Sequence, residues 1–272
     1  MHPIFQHRTT LALIFLVPSL ASALTFLFTQ IYGYTKKEEF DLCDSTIAEE
    51  FATQFKNVIS TPEACSGKCQ FGNFFWDKPI NIAIYSSPSV LSQKYQIKQF
   101  LEDASTLLQQ LIGQEVSIFT DDDFAQFANL FVIILDNGAI EAFESGSLVS
   151  IISPEEFAPY KNMALKGACT THVAISNDTI PAIAEYGVIF VPPNLPEGQL
   201  ETCIYEEFIN TLGLIGDPRE QASLFDGNNF RLTKGQLNYS LETLAMLDAL
   251  YSISSNRIAN IDEYITNSCN NN

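Results

Sequence analysis

Three apolar patterns place this chain in the α+β class, as a mixed sheet backed by helices. Ile80, Ile82 and Ile84 alternate with smaller or polar residues, the period of a half-buried strand. Asn129-Leu-Phe-Val-Ile-Ile-Leu135 is a continuous apolar run of strand length, which predicts a strand buried on both faces. Between them Ile97, Phe100, Leu101, Ala104, Leu107, Leu108 and Leu111 recur at helical spacing.

The elements follow in order. Residues 1–8 carry Arg8 and no acid, Leu11–Leu20 is apolar, and Ala21-Ser22-Ala23 has the small residues of a cleavage site. Residues 1–23 are therefore expected to be a signal peptide. The alternative is a retained membrane anchor, since Thr9–Ile31 almost reaches bilayer-spanning length. Asp44 predicts a helix cap, followed by Ile47, Phe51 and Phe55 on one face, so residues 24–75 read as an N-terminal helical extension of a main domain at 76–265. Trp76-Asp-Lys-Pro79 leads into the first strand, and Gly113 stops the long helix after it. Val116–Phe119, Thr171–Ile175 and Tyr186–Val191 are further strands, while residues 138–168 show no motif. A helix is expected from near Leu200 to Leu212–Leu214. A last helix is expected from a capping box at Thr233 and Gln236, with Leu237, Leu241, Leu244, Leu247 and Tyr251 buried. Residues 266–272 read as a loose tail.

Composition narrows the function. The 272 residues carry 14 Lys and Arg against 32 Asp and Glu, a net charge of −18. Loss of the signal with Arg8 leaves 13 basic side chains against 32 acidic ones, or −19. Such a surface repels phosphate backbones and anionic lipid, so no nucleic-acid partner is expected, and membrane contact only through an uncleaved N-terminus. Six cysteines (Cys43, Cys65, Cys69, Cys169, Cys203 and Cys269) agree with an extracytoplasmic, periplasmic or secreted, protein holding up to three disulfides. Connectivity stays open, with Cys169–Cys203 the favoured pair.

The segment that bears on chemistry is Cys203-Ile-Tyr-Glu-Glu-Phe-Ile-Asn-Thr-Leu-Gly-Leu-Ile-Gly-Asp217. It resembles the active helix of metzincin-type zinc peptidases, His-Glu-x-x-His-x-x-Gly-x-x-His/Asp. In those enzymes two histidines one turn apart hold zinc and the glutamate polarises water. On that pattern Glu207 occupies the catalytic position and Gly213 the turn. Glu206 and Asn210 occupy the helical ligand positions, and Gly216, followed by Asp217, the third.

Over about residues 70–255 the chain is similar to a family of uncharacterised exported bacterial proteins, a domain of unknown function grouped by fold with the zincin peptidases. The shared features are Trp76 to Pro79, Ala128-Asn129, Cys203 to Leu214, and the Ser223–Phe225 turn before Leu232-Thr233. The resemblance implies a zincin-like (metallopeptidase-type) fold. In that family Gln is typical at the second ligand position; Asn210 is shorter.

Zinc needs imidazole, thiolate or carboxylate ligands, and beyond the signal only His172 remains, on a strand apart from the helix. Glu206, Asn210 and Asp217 supply hard oxygens, suited to a divalent cation such as Ca²⁺, Mg²⁺ or Mn²⁺. The leading expectation is a degenerate metal-binding helix in a non-catalytic protein, a pseudoenzyme that binds a peptide or protein with no cofactor. The alternative is a metal-dependent, peptidase-like hydrolase with Glu207 as general base. A third reading is a disulfide-stabilised envelope component. Glu206 and Asn210 can also be simply the solvated side of a helix whose buried stripe is Ile204, Phe208, Leu212 and Ile215.

Overall fold

A computed structural model describes residues 40–60, 74–120, 126–145, 152–176, 182–214 and 239–270. The signal segment, Cys65 and Cys69, the Asp121–Asp123 run, Asp217, the Ser223–Asp226 turn and the Thr233–Gln236 capping box lie outside the described residues.

The helix α1 (Ser45–Ser60) begins as expected, with the Asp44 carboxylate accepting from the backbone N–H groups of Thr46 and Ile47 at 2.8 and 3.2 Å. The strands β1 (Phe74–Phe75) and β2 (Ile80–Tyr85) follow, then α2 (Leu91–Ile112) and β3 (Val116–Phe119). Gly113 ends α2 in the left-handed region at φ 68°, where its N–H bonds the carbonyl of Gln109. Next come β4 (Leu130–Ile134), α3 (Asn137–Glu144), α4 (Pro154–Leu165), β5 (Thr170–Ser176) and β6 (Ala182–Val191). The last three elements are α5 (Glu197–Thr211), α6 (Leu241–Ser254) and α7 (Ile261–Asn270).

The sheet is mixed and mostly parallel. β3, β2, β4 and β6 lie side by side in parallel, and β5 closes one edge antiparallel to β6. The short β1 pairs with β6 at Ala182 and Ile183, beyond the stretch that β4 occupies. Parallel neighbours need crossovers over a sheet face, so the layers differ from the α+β expectation: this is an α/β arrangement with helices on both faces.

The alternation along β4 shows why. Leu130, Val132 and Ile134 join the main core with Ile80, Ile82 and Ile84 of β2 and with α1, α2, α5 and α6. Ile133 and Leu135 point the other way, with Val188 and Phe190 of β6, into a second core beneath α3 and α4. Residues 138–168, where the sequence shows no motif, supply those two helices. Each is short, and they meet through Phe143 and Phe157, whose rings stack 4.1 Å apart.

The C-terminal part is helical. The helix that carries Leu241, Leu244, Leu247 and Tyr251 begins at Leu241 with Ser240 as its cap: Ser240 is extended at ψ 152° and its hydroxyl accepts from Thr243 N–H at 3.1 Å, while the Thr233–Gln236 box lies outside the described residues. Residues 266–270 belong to α7 rather than to a loose tail, and a Cys43–Cys269 disulfide joins its last turn to the residues before α1. Phe51 and Phe55 of α1 and Tyr264 of α7 enter the same core as the sheet. Among the described residues no helix is long and apolar enough to cross a membrane.

Candidate functional site

The helix α5 is held from every side but one. Pro196 opens it, its carbonyl accepting from Gln199 and Leu200 N–H at 2.9 Å, so it starts at Glu197 rather than near Leu200. At its other end the buried Trp76 indole N–H donates to the Thr211 carbonyl at 2.7 Å, satisfying one acceptor the helix itself leaves open. Gly213 then turns the chain at φ 107°. A Cβ there would collide with the Phe74 carbonyl oxygen and come within 2.9 Å of Leu250. Gly213 is thus buried, because the β1 segment crosses the end of α5.

Along its length, Phe100 of α2 packs edge-on against Tyr205, and the Tyr239 hydroxyl donates to the Tyr205 carbonyl at 2.8 Å. A disulfide joins Cys203 to Cys169, the residue before β5, as favoured from the sequence. One turn on, the Thr171 hydroxyl donates to the Glu207 carbonyl at 3.3 Å. Ile204, Phe208 and Leu212 are fully buried, as the stripe predicts; Ile215 lies outside the described residues.

What stays open is the line of Thr202, Glu206 and Asn210, spaced four residues apart and partly exposed. Beside it runs a cleft of about 710 Å³. It is lined by the Gly167–Cys169 turn, by Leu195, Pro196, Gly198 and Gln199, and by Thr202, Cys203, Glu206 and Glu207 of α5. The sequence pointed to neither wall. The signal within reach was the Cys169–Cys203 pair, because a bridge to that helix brings the start of β5 beside it.

Glu207 is only 7 % exposed and accepts from the Asn210 side-chain amide at 3.4 Å. That contact turns the Asn210 N–H toward Glu207. Glu206, Glu207 and Asn210 therefore lie together, whereas Asp217 lies outside the described residues. Among the described residues no three His, Cys, Asp or Glu side chains form a metal-holding group.

His172 belongs elsewhere. Its register partner Val188 faces the second core, so the imidazole lies on the sheet face away from α5. There its Nδ1 lies 2.8 Å from the Tyr160 hydroxyl.

A family model described as a protein of unknown function (DUF2927) matches residues 50–252. No curated protein and no solved structure matches the chain.

Proposed function

Since the chain belongs to this family of proteins of unknown function, whose model takes in α5 and both cleft walls, we propose that it is a zincin-like protein outside the cytoplasm that holds a peptide in the Glu206–Glu207 cleft without zinc-peptidase chemistry. The observation that carries the reading is the cleft itself, lined by Glu206 and Glu207 and walled by the Gly167–Cys169 segment that leads into β5. The mostly parallel sheet with α5 against it supports the zincin-like grouping at the level of layers. The disulfides Cys43–Cys269 and Cys169–Cys203 fit an oxidising, extracytoplasmic compartment, reached through the N-terminal signal or anchor.

Zinc does not fit this donor set. The two helical ligand positions carry a carboxylate and an amide, and the amide N–H is turned to Glu207. The test is retention of a random decapeptide pool on the immobilised full-length protein. Thr202→Trp, which fills the cleft, is expected to lower retention by about tenfold, the loss of a single good contact. Unchanged retention would sink the reading, and so would elemental analysis finding one tightly held zinc per chain.

The second reading, an oxygen-ligand hydrolase, draws on one observation: Glu207 keeps the catalytic position and lines the cleft. Peptide hydrolysis that requires Ca²⁺, Mg²⁺ or Mn²⁺ and disappears in Glu207→Gln would establish it in place of the first.

A further inference from the structure

We infer that Ser87, Ser89 and Asp136 form a site for a divalent cation of the Mg²⁺ or Mn²⁺ kind, separate from the cleft beside α5 and independent of the peptide-binding reading. Topology sets the place. After β2 the chain leaves over the main core into α2, whereas after β4 it leaves over the opposite face into α3. β2 and β4 are parallel neighbours, so their carboxyl ends bound the crevice where an open α/β sheet takes its ligands. Ser87 and Ser89 follow β2, and Asp136 follows β4.

Three oxygens converge there. The Ser87 and Ser89 hydroxyls lie 2.6 Å apart, and both contact the same carboxylate oxygen, Asp136 Oδ2, that of Ser89 at 2.7 Å. Two hydroxyl hydrogens cannot fill three contacts, so one pair of oxygens meets lone pair to lone pair. A cation held by all three removes that conflict. Mg²⁺–oxygen bonds of about 2.1 Å set neighbouring ligands about 2.9 Å apart, so a small outward shift makes these atoms one face of an octahedron.

Asp136 is only 8 % exposed, and among the described residues no lysine or arginine pairs with it. Buried charges are paired or hold metals. Its two oxygens divide the work: Oδ1 caps α3, accepting from Ala139 N–H at 3.0 Å, while Oδ2 is left to the hydroxyls. Gly138 lets the two loops meet, since a Cβ there would stand 3.1 Å from the Ser87 Cβ. One residue before Ser87, the Ser86 hydroxyl is buried with no hydrogen-bond partner among the described residues, so this end of β2 carries more polar groups than the protein itself satisfies. Ser89 is exposed and Ser87 half-buried, which leaves the remaining coordination positions open to water. Hydroxyl and carboxylate oxygens are the hard ligands that Mg²⁺ and Mn²⁺ prefer.

The experiment titrates EDTA-stripped full-length protein with MnCl₂ at about 0.15 M salt, where distant surface charges are screened, and reads free Mn²⁺ by electron paramagnetic resonance. Wild type is expected to hold one Mn²⁺ per chain, displaced by excess Mg²⁺. Ser87→Ala/Ser89→Ala leaves the net charge of −18 untouched and is expected to weaken that binding by about tenfold or more, as loss of even the partners behind a metal ligand does. Equal binding in wild type and the double variant overturns the proposal, because ions gathered by the acidic surface alone give that result. So does the lack of a saturable site up to millimolar Mn²⁺. Loss in Glu206→Gln/Glu207→Gln with the serine variant unaffected puts the ion at α5 and overturns it as well. If the double variant fails to fold, Ser89→Ala alone, at the exposed position, carries the same comparison.

Discussion

Gly213 and Trp76 hold one corner of the molecule between them. The glycine passes beneath the Phe74 carbonyl with a backbone that other residues rarely adopt, and the indole two residues beyond Phe74 ties the Thr211 carbonyl. Gly213→Ala combines that backbone with a collision, and is expected to cost about 3 kcal/mol in urea unfolding. A glycine on a solvent face would instead give a change near zero. Trp76→Phe keeps most of the buried ring but loses the hydrogen bond, leaving a buried carbonyl short of a donor at a cost of about 1–3 kcal/mol.

Element ends and element contacts carry the pH dependence. Asp136 caps α3: its carboxylate accepts from Ala139 N–H at 3.0 Å, from the Ser89 hydroxyl at 2.7 Å and from the Ser87 hydroxyl. Burial pushes its pKa up, but those donors and the Gly138 N–H outweigh burial and hold it below the ordinary carboxylate value. A depressed folded-state pKa gives stability that is full above the unfolded value of about 4 and lost as pH falls through the folded one. Asp136→Ala is accordingly expected to cost about 1–2 kcal/mol at pH 7, shrinking at strongly acid pH, as read from melting curves against pH.

Between α6 and α7 the sign reverses. Burial raises Asp248, with only partial relief from the Tyr264 hydroxyl at 2.9 Å and from Arg257. A raised carboxylate favours the folded state in its protonated form, so its contribution is complete below about pH 4 and is lost as pH rises through the folded value. Asp248→Asn keeps an acceptor for Tyr264 without the charge. It is expected to raise the melting temperature at pH 7 and to make no difference at pH 3; a lower melting temperature at pH 7 would contradict this.

At the scale of the whole molecule, the two disulfides among the described residues do different work. Cys43–Cys269 spans 226 residues and clips α1 and α7 onto the main core. In the chain-entropy account, loss of a closure that long costs up to about 5 kcal/mol, and a 34-residue closure such as Cys169–Cys203 about 4 kcal/mol. Replacing each pair by serine should lower the urea midpoint in both cases. Only loss of Cys169–Cys203 should also weaken peptide retention, because only that bridge lines the cleft.

The helix that suggested a damaged zinc motif was readable in one dimension and the cleft beside it was not. Local patterns determined the strand at Ile80–Ile84, the buried run of β4, the long helix to its Gly113 stop, the Asp44 cap and the buried stripe of α5, because periodicity and capping act within a few residues. The cysteine pair Cys169–Cys203 also showed in the sequence, through its place beside a strand and a helix. Tertiary structure decided the rest. It made helices of residues 138–168, whose few large apolar groups act only against the far face of the sheet, and it buried Gly213 under a distant strand. It also set His172 and Glu207 on opposite faces of one sheet and drew the Gly167–Cys169 turn alongside α5 to form the cleft. Each of these depends on contacts between residues far apart in the chain, and no local spacing encodes them.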